Sequence, residues 1–516
     1  MRFRRGSLCS TALAVLILSI AVGQLLSIAA GQPVEAGSQD PAGTLLRDVM
    51  IVDGTGTLPY RGEVLIVGEN IAAVGPAGSL DVSEDVQIET LSGLMLAPGF
   101  IDIHNHSDNA ILNRPAAEAL ISQGETTIVV GPDGSSAWPI ADYLTRIESA
   151  RPAVNVGTLV GHGTIRRAVM GDDYRRTATP AEVQAMATRV ERGMREGAFG
   201  LSTGLEYDPG FYSDIEELIE LSKVAAAHGG FYMSHMRDEE EGVMDAIAEA
   251  IEIGRMANLP IQISHIKMGN ASVWGGSAQA LEMIRQARAT GVDIYADWYP
   301  YQAWASSLNI VVRSRRFTDP EEVAAGLEAM GGANRLQITN YPPDRSVEGK
   351  RLDEIAQSKD KTPVEMYIEM MRAGGASVIG HTMDKGDVDT FAASPLVMVA
   401  SDGGIGSAHP RGAGTFSRML GHYVREEHVL PIERAVYKMT ALPAWRLGLE
   451  DRGRIVAGAK ADLVAFDMAT VSDTSTFEEG GLLSVGIERV WVNGQLVWSE
   501  GNATGARPGR PLRPGS

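Results

Sequence analysis

The stretch LAPGFIDIHNHSD, residues 96–108, combines an apolar strand with two histidines at its carboxyl end. Side chains alternate between the two faces of a β-strand, so His104 and His106 project to the same side and both imidazoles can reach one metal ion. An HxH pair alone also fits two ordinary histidines at a strand end. The pair therefore indicates half of a metal site, for which the rest of the chain must supply the other half.

The middle of the chain repeats the same alternation of short apolar runs and amphipathic helical stretches. The eight runs are GFIDIH, TTIVVG, VNVGTLVGH, FGLSTG, GFYMSH, PIQISH, VDIYADWYP and VMVASD. Such runs between helices predict a parallel sheet, and eight of them predict an α/β fold of the (β/α)8 TIM-barrel type. A ninth run, ASVIGHTMD around His381, is one more than a barrel needs. Residues of about 303–375 exceed a normal loop and predict an insertion over the barrel mouth.

The two ends of the chain carry short β patterns that are broken by Gly and Asn turns. They cover residues 44–96 and 446–502, and the second segment contains the hairpin pair Asn493-Gly494. Neither segment can bury a good core alone, so we expect the two to pair in one small β-sandwich. The barrel, residues 97–445, then lies between them in the chain. Residues 503–516 are rich in Pro, Gly and Arg and are predicted to be disordered.

The first 30 residues have the layout of a secretory signal peptide. Arg2, Arg4 and Arg5 precede an uncharged apolar run, which leads through small residues into a polar linker, residues 31–43. Arg4-Arg5 also suggests twin-arginine export. The alternative is an uncleaved membrane anchor, because the run approaches the ~20 residues that span a bilayer. The interruption at Gly23 and Gln24 favours cleavage, and we expect a periplasmic or secreted protein without stable membrane association.

Charge and cysteine content narrow the chemistry. The chain has 45 Lys and Arg against 65 Asp and Glu, a net charge of −20. Such a protein repels nucleic acid, so a small-molecule partner is expected. The single cysteine, Cys9, lies within the predicted leader, and the mature chain therefore offers no disulfide and no thiolate ligand for a metal.

Polar residues that can bind metal cluster where the predicted strands end. They are His104, His106, Asp133, His162, His235, His265 and Asp402. In a (β/α)8 barrel, chemistry lies at the carboxyl ends of the strands. His162, in a Gly-rich turn, also fits a structural role. Two histidines on the first strand, one each on the fifth and sixth, and an aspartate on the eighth together indicate a metal centre.

The sequence motifs around these residues resemble those of the amidohydrolase superfamily and, within it, of the N-acyl-D-amino acid deacylases (D-aminoacylases). The resemblance covers about residues 44–500 and rests on GLSTGLEYDPG, SHMRDE, ISHIK, SDGG followed by HPRGAGTFSRML, and TALPAWRLGLEDRGRIVAGAKADLVAFD. It implies a hydrolase with one or two zinc ions. A zinc-activated water would cleave the amide bond of an N-acyl-D-amino acid, giving a carboxylate and a free amino acid.

The resemblance also implies the ligands. It gives a first metal position at His104, His106 and Asp402 and a second at His235 and His265. In that family a cysteine after the second strand completes the second position, and the matching residue here is Asp133. A carboxylate can bridge two zinc ions as a thiolate can, with harder oxygen donors. Glu206 in GLEYDPG is the competing acidic ligand.

The resemblance further implies catalytic roles at this centre. Asp402 would accept the proton of the water and return it to the leaving nitrogen, although it also fits a plain metal ligand or a turn former. The oxyanion would be held by metal and by a donor such as His162 or Tyr207. Tyr207 also matches a tyrosine that the family uses at the substrate.

The free carboxylate of an N-acyl amino acid requires cations beside the scissile amide. Arg237 lies two residues after His235, and Lys267 lies two residues after His265. In an extended strand this spacing places each cation on the same face as its metal ligand. Ordinary salt bridges to nearby acids are the alternative for both residues.

Three other functions share parts of this pattern. A cyclic amidase would have the barrel and the HxH pair but should also carry a lysine suited to carboxylation, and no barrel lysine ends the predicted fourth strand. A dipeptidase for D-residue or β-linked dipeptides also cleaves an amide beside a carboxylate. A non-catalytic periplasmic binding protein would be expected to have lost a metal ligand.

Overall fold

The structure is a computed structural model that describes residues 43–515, so the predicted signal peptide and nearly all of the linker lie outside the described residues. The strands, in chain order, are β1 (Gly43–Ile51), β2 (Tyr60–Val67), β3 (Asn70–Pro76), β4 (Val86–Thr90), β5 (Met95–Pro98), β6 (Phe100–Asn105), β7 (Glu125–Val130), β8 (Asn155–Thr158), β9 (Val160–Gly161), β10 (Gly200–Gly204), β11 (Phe231–His235), β12 (Ile261–Ile263), β13 (Ile294–Trp298), β14 (Trp304–Ser307), β15 (Leu336–Asn340), β16 (Ser377–Gly380), β17 (Val397–Val399), β18 (Leu463–Phe466), β19 (Ile487–Val492), β20 (Gln495–Ser499) and β21 (Asn502–Ala503).

The α-helices of the described residues are α1 (Ala110–Asn113), α2 (Glu118–Ile121), α3 (Ile140–Ala150), α4 (His162–Met170), α5 (Pro180–Glu196), α6 (Ile215–Ala227), α7 (Val243–Ala257), α8 (Ser277–Ala289), α9 (Pro320–Ala329), α10 (Leu352–Ser358), α11 (Pro363–Arg372), α12 (Lys385–Ala393), α13 (Arg411–Arg418), α14 (Ile432–Met439) and α15 (Ala441–Leu447). A π-helical segment, Met419–Glu426, extends α13. Within residues 43–515, no helix is both long and apolar enough to cross a bilayer.

The predicted (β/α)8 barrel is confirmed. Parallel strands follow the orders β6-β7-β8 and β9-β10-β11-β12-β13-β17. Only Leu159 separates β8 from β9, so the two form one interrupted strand, and the barrel has eight. The ring closes where the backbone N–H of Asp402 donates to the carbonyl of His104 at 3.0 Å and where Asn105 bridges Gly403.

Local sequence rules explain where the outer helices begin and end, as α5 illustrates. Thr179 caps its first turn by accepting a hydrogen bond from the backbone of Glu182, whose carboxylate reaches back to the Thr179 N–H. Pro180 occupies the first helical position, where its missing N–H costs nothing. Gly197 ends the helix with a φ of 114°, a conformation that side chains with a Cβ rarely adopt.

Both ends of the chain contribute to one sheet beside the barrel. Its nine strands follow the order β21-β20-β19-β18-β5-β1-β2-β3, with β4 paired to β1. The strands form one continuous hydrogen-bonded sheet, and the turns at Gly68 and Gly494 meet. A Cβ on Gly494 would lie 2.0 Å from the carbonyl oxygen of Gly68, so this contact requires glycine. The sheet delivers the chain directly from β5 into the first barrel strand.

The ninth apolar run belongs to the insertion. It forms β16, which pairs antiparallel with both β14 and β15 in a separate three-stranded sheet. The insertion therefore continues past the predicted end near residue 375 and closes at Gly380. It includes α9, α10 and α11 as well as these strands.

The predicted disorder of residues 503–516 is wrong for the part that the structure describes. The N–H of Gly509 donates to Pro152, and the N–H of Leu512 donates to Val156, both at 2.9 Å. Leu512 is 2% exposed and packs in an apolar cluster with barrel residues. This Pro- and Gly-rich segment lies beside β8. Its one buried leucine makes an apolar contact that the polar composition of the segment does not indicate.

We expect replacement of Leu512 by alanine to lower the free energy of unfolding by about 2–5 kcal/mol, because it leaves a cavity at this contact. Urea denaturation of wild type and variant measures the change. Arg507→Ala, at an exposed position of the same segment, is the matched control and should shift stability by less than about 0.5 kcal/mol. Equal midpoints for wild type and Leu512→Ala would show that the segment is not docked.

Candidate metal centre

The first predicted pair lies as its spacing requires. The rings of His104 and His106 are 5.3 Å apart between centroids. Their Nε2 atoms are 3.4 and 3.1 Å from Oδ1 of Asp402, which follows the last barrel strand. His104 at the end of β6, His106 just after it and Asp402 after β17 thus meet because the barrel closes between these two strands.

Asp133 joins this group to a second pair of histidines. Its Oδ2 is 3.5 Å from Nε2 of His104 and 3.4 Å from Nε2 of both His106 and His265. Nδ1 of His235 lies 3.0 Å from Nε2 of His265. The structure therefore brings together two sets of ligand atoms that share Asp133. They are His104, His106, Asp133 and Asp402, and Asp133, His235 and His265.

Three residues of the centre have left-handed backbone conformations. The φ angles are 51° at Asp133, 33° at His265 and 47° at Asp402, and each residue follows shortly after a barrel strand. This conformation is costly for residues with a Cβ, of order 1–3 kcal/mol each, and such strain concentrates at functional sites.

The donor set fits a divalent metal ion such as zinc. Nε2 of His104 and Oδ1 of Asp133 are buried without a hydrogen-bond partner among residues 43–515. Burying such atoms unpaired is costly, and a cation held between them would satisfy them. Imidazole nitrogen and carboxylate oxygen are both ligands that zinc accepts.

The two carboxylates of the centre stay ionised. Burial alone would raise the pKa of Asp133, but the neighbouring His104 and His265 outweigh it and hold the pKa well below its usual value. For Asp402, burial is outweighed chiefly by Arg411, then by the histidines, and its pKa is likewise well below normal. Each can therefore serve as a charged ligand at neutral pH.

Carboxylates also face the outer nitrogens of three histidines. Nδ1 of His104 is 3.4 Å from Asp297, Nε2 of His235 is 2.9 Å from Glu206, and Nδ1 of His265 is 3.0 Å from Glu239. Such contacts fix the tautomer and orientation of a metal ligand. Glu206 thus lies behind His235 and not beside Asp133, so Asp133 is the carboxylate between the two sets.

Glu206, His235 and Glu239 also come within ligand distance of one another. However, Nζ of Lys267 lies 2.6 Å from Oε2 of Glu239 and neutralises it. A cation at this third group would meet the ammonium directly, so the arrangement disfavours a metal there.

A cavity of about 830 Å³ opens over the centre. Residues Trp304–Ser307 of the insertion form part of its wall, together with Tyr207, Lys267 and Arg411. The ring of Tyr207 is 4.3 Å from the ring of His235. Burial raises the pKa of Tyr207 well above normal, helped by the charge of Asp133, so its hydroxyl remains a donor. The volume is of the size that binds a small molecule.

The prediction that Arg237 binds substrate is wrong. Its guanidinium pairs with Glu249 of α7 at 2.9 Å and donates to the carbonyl of Phe211 at 3.0 Å, outside the cavity. Strand β11 ends at His235, so the alternation of side chains no longer applies two residues later. Lys267 follows its strand in the same way, but it does line the cavity.

The prediction that His162 donates to an oxyanion is also wrong. The ring is fully buried, and its Nε2 lies 2.7 Å from the carboxylate of Glu217. His162 begins helix α4, and the next residues, Gly163 and Thr164, line the cavity instead. The structure thus supports the alternative, a structural role for His162.

Sequence reasoning missed Arg411. Its side chain is buried in the cavity wall, and its Nη1 is 2.7 Å from Oδ2 of Asp402. Its Nε has no hydrogen-bond acceptor within the described residues. The motif HPRGAGTF contains this arginine. However, Arg411 begins helix α13 and does not directly follow a strand, so the pattern of strand ends does not reveal it.

Comparison with known proteins agrees with this geometry. Residues 87–498 match the model of the amidohydrolase family. The chain is 38% identical over 497 residues to the D-aminoacylase of Alcaligenes xylosoxydans xylosoxydans, covering 92% of this chain and 98% of that protein. A solved N-acyl-D-glutamate deacylase from Bordetella bronchiseptica, complexed with zinc and a phosphonate mimic of the tetrahedral intermediate, matches with a TM-score of 0.83 and 35% identity over 91% of this chain and 99% of that one.

A solved D-aminoacylase described for its binuclear metal centre also has a TM-score of 0.83, with 36% identity over 92% of this chain and all of that one. A closed barrel with histidines and aspartates on its rim, matched by a family model over most of its length, defines an amidohydrolase. This chain belongs to the amidohydrolase family, in its N-acyl-D-amino acid deacylase (D-aminoacylase) branch.

We expect Glu206→Gln to weaken zinc binding about 10- to 100-fold, because it removes the charge that orients His235. Competition with a chromophoric chelator measures the affinity. Glu249→Gln removes a carboxylate of the same type that pairs with Arg237 outside the cavity, and it should leave the affinity unchanged. Equal affinities for wild type and Glu206→Gln would show that Glu206 does not position the ligand.

Proposed function

We propose that this protein is a zinc-dependent hydrolase that cleaves the amide bond of N-acyl-D-amino acids, releasing a carboxylate and a free amino acid. The proposal rests on one arrangement of the site. Asp133 joins two sets of metal ligands, and two buried cations, Lys267 and Arg411, lie in the cavity above them. The preference for D-amino acids rests on the relatives, which act on N-acyl-D-amino acids.

The two cations suit the carboxylate that adjoins the scissile amide. Burial by itself would lower the pKa of Lys267, but Glu239 outweighs it and raises the pKa above its usual value. Arg411 offers donors in a planar fork that matches a carboxylate. Both cations are 5% exposed or less, so a substrate anion would meet them largely free of competing water.

We assign the proton transfer to Asp402. Zinc, when bound, supplies a water whose pKa is lowered to about 7. Oδ1 of Asp402 faces His104 and His106, while Arg411 holds its Oδ2. The ionised carboxylate can accept the proton of the attacking water and deliver it to the leaving nitrogen. The protonated hydroxyl of Tyr207 can donate to the carbonyl oxygen of the substrate as negative charge develops there.

The location follows only from the first 30 residues. We propose that the protein is exported to the periplasm or beyond, with the leader removed near residues 29–36, where small residues follow the apolar run. The net charge of −20 supports a small-molecule partner over nucleic acid or an anionic membrane surface.

Removal of metal is expected to abolish hydrolysis of N-acetyl-D-amino acids, because the water then keeps its ordinary pKa. Dialysis against a chelator, metal analysis of the product and back-titration with zinc measure this. Recovery with zinc and loss without it are the expected results. Hydrolysis that continues in metal-free protein would contradict the proposal.

Replacement of Arg411 by methionine is expected to reduce the preference for N-acetyl-D-amino acids over their neutral carboxamides by about 10- to 100-fold, since a charge-assisted contact to the carboxylate is lost. The ratio of kcat/KM values is the measurement, because Arg411 also contacts Asp402 and its loss will lower both rates. Arg237→Met, outside the cavity, is the control and should keep the ratio. A fall by the same factor for both substrates would mean that Arg411 does not bind the carboxylate.

A further inference from the structure

The cavity contains a third cation that the proposed reaction does not use. Lys267 pairs with Glu239 and Arg411 with Asp402, but Arg167 also lines the cavity. Across residues 43–515, no carboxylate lies within ion-pair distance of its guanidinium. The group stacks instead on the ring of Tyr174, 4.5 Å from its centroid.

Arg167 lies on one face of α4 together with the small residues of the cavity wall. Gly163, Thr164, Arg167 and Ala168 all line the cavity, a spacing that places them on the same side of a helix. Arg167 is about one helical turn, or roughly 5.4 Å, further from the strand end than Gly163. The small side chains below it leave room for a chain that runs from the metal centre toward the guanidinium.

The barrel places this wall opposite the two cations that suit the amino-acid carboxylate. Helix α4 follows the third barrel strand, β8 with β9, whereas Lys267 follows the sixth and Arg411 the eighth. In a ring of eight strands the third lies across from the seventh. The cavity therefore gives a substrate, whose amide lies at the centre and whose carboxylate contacts Lys267 and Arg411, room to extend its acyl group toward α4.

One acidic residue shares this wall, and it is already paired. The carboxylate of Asp208 accepts a hydrogen bond from Tyr174 at 2.9 Å and forms an ion pair with Arg315. Arg175 approaches the same carboxylate at 3.7 Å. The charge of Asp208 is therefore compensated, and the wall near Arg167 is locally positive within a strongly acidic protein.

We propose that Arg167 binds a terminal carboxylate on the acyl group, so that the enzyme favours substrates acylated with a dicarboxylic acid, such as N-succinyl-D-amino acids, over neutral acyl groups of equal length. This inference rests on the proposed function, because it assumes hydrolysis of an N-acyl amino acid. It adds the chemical class of the acyl half, which the metal centre and the two buried cations leave open.

The test compares N-succinyl, N-butanoyl and N-acetyl derivatives of the same D-amino acid. Wild type is expected to prefer the succinyl over the butanoyl substrate by about three- to tenfold in kcat/KM, as a charge pair near solvent permits. The preference should shrink as salt rises. Arg167→Gln should bring the ratio to about one.

Arg175→Gln is the matched control. Its guanidinium lies 4.7 Å from the centroid of the same Tyr174 ring but does not line the cavity. It removes the same charge from the same region and should keep the succinyl preference. An equal loss of the succinyl preference in both variants would show that it depends only on the positive charge of the region, and this would overturn the inference.

The remaining outcomes separate this inference from the proposed function. Hydrolysis of the N-acetyl substrate without a succinyl preference overturns the role of Arg167 and leaves the proposed function standing. A changed ratio between N-acetyl-D-glutamate and N-acetyl-D-glutamine in Arg167→Gln would assign Arg167 to the amino-acid side chain and overturn the acyl proposal. Failure to hydrolyse any of the three acyl substrates overturns both.

Discussion

The carboxylate of Asp133 lies between both histidine groups, and the rim of the barrel is shaped to hold it there. The chain turns back after β7 through Gly131, Asp133 and Gly134, all with positive φ. A Cβ on Gly134 would lie 2.8 Å from the backbone nitrogen of Gly204, so glycine is required. The hydroxyl of Ser202 donates to the carbonyl of Gly131 at 2.6 Å and accepts from the N–H of Gly134 at 3.2 Å. One buried hydroxyl on β10, two barrel strands away from β7, therefore fixes both sides of the turn.

The charges around this carboxylate are arranged in two layers. Asp133 and Asp402 face the inner nitrogens of the histidines, while Asp297, Glu206 and Glu239 face outer nitrogens. The outer carboxylates hold the rings in place whether or not an inner partner is present. Glu239 also contacts Lys267, so a single carboxylate orients a histidine of the centre and fixes a cation of the cavity.

Much of this arrangement follows from period and fold alone. The eight barrel strands, the facing pair His104 and His106, and the convergence of His235, His265 and Asp402 all follow from alternation along strands and from the position of strand ends in a barrel. Alternation no longer sets the side-chain direction where a strand stops early. Arg237 lies beyond the end of β11, so its direction is set by the loop and by Glu249.

Other errors have the same origin in local context. His162 starts a helix, and helical geometry turns its ring toward Glu217 while its neighbours face the cavity. Arg411 enters the site from a helix, which no search of strand ends would find. Composition misled at residues 503–516, because one buried side chain, Leu512, is enough to dock a segment that reads as polar and flexible.

Asp133 provides a carboxylate where the family resemblance implies a cysteine thiolate, and this difference changes the reactions that the centre can undergo. A metal-binding thiolate can be oxidised or can enter disulfide exchange. A carboxylate undergoes neither reaction, and the only cysteine of the chain, Cys9, lies in the predicted leader. The site is thus built from ligands that tolerate an oxidising compartment, which is the environment that the predicted export would impose. In exchange, a harder oxygen donor lies between the two ligand sets. The strained turn that positions Asp133 must also be held by Ser202 and by two glycines.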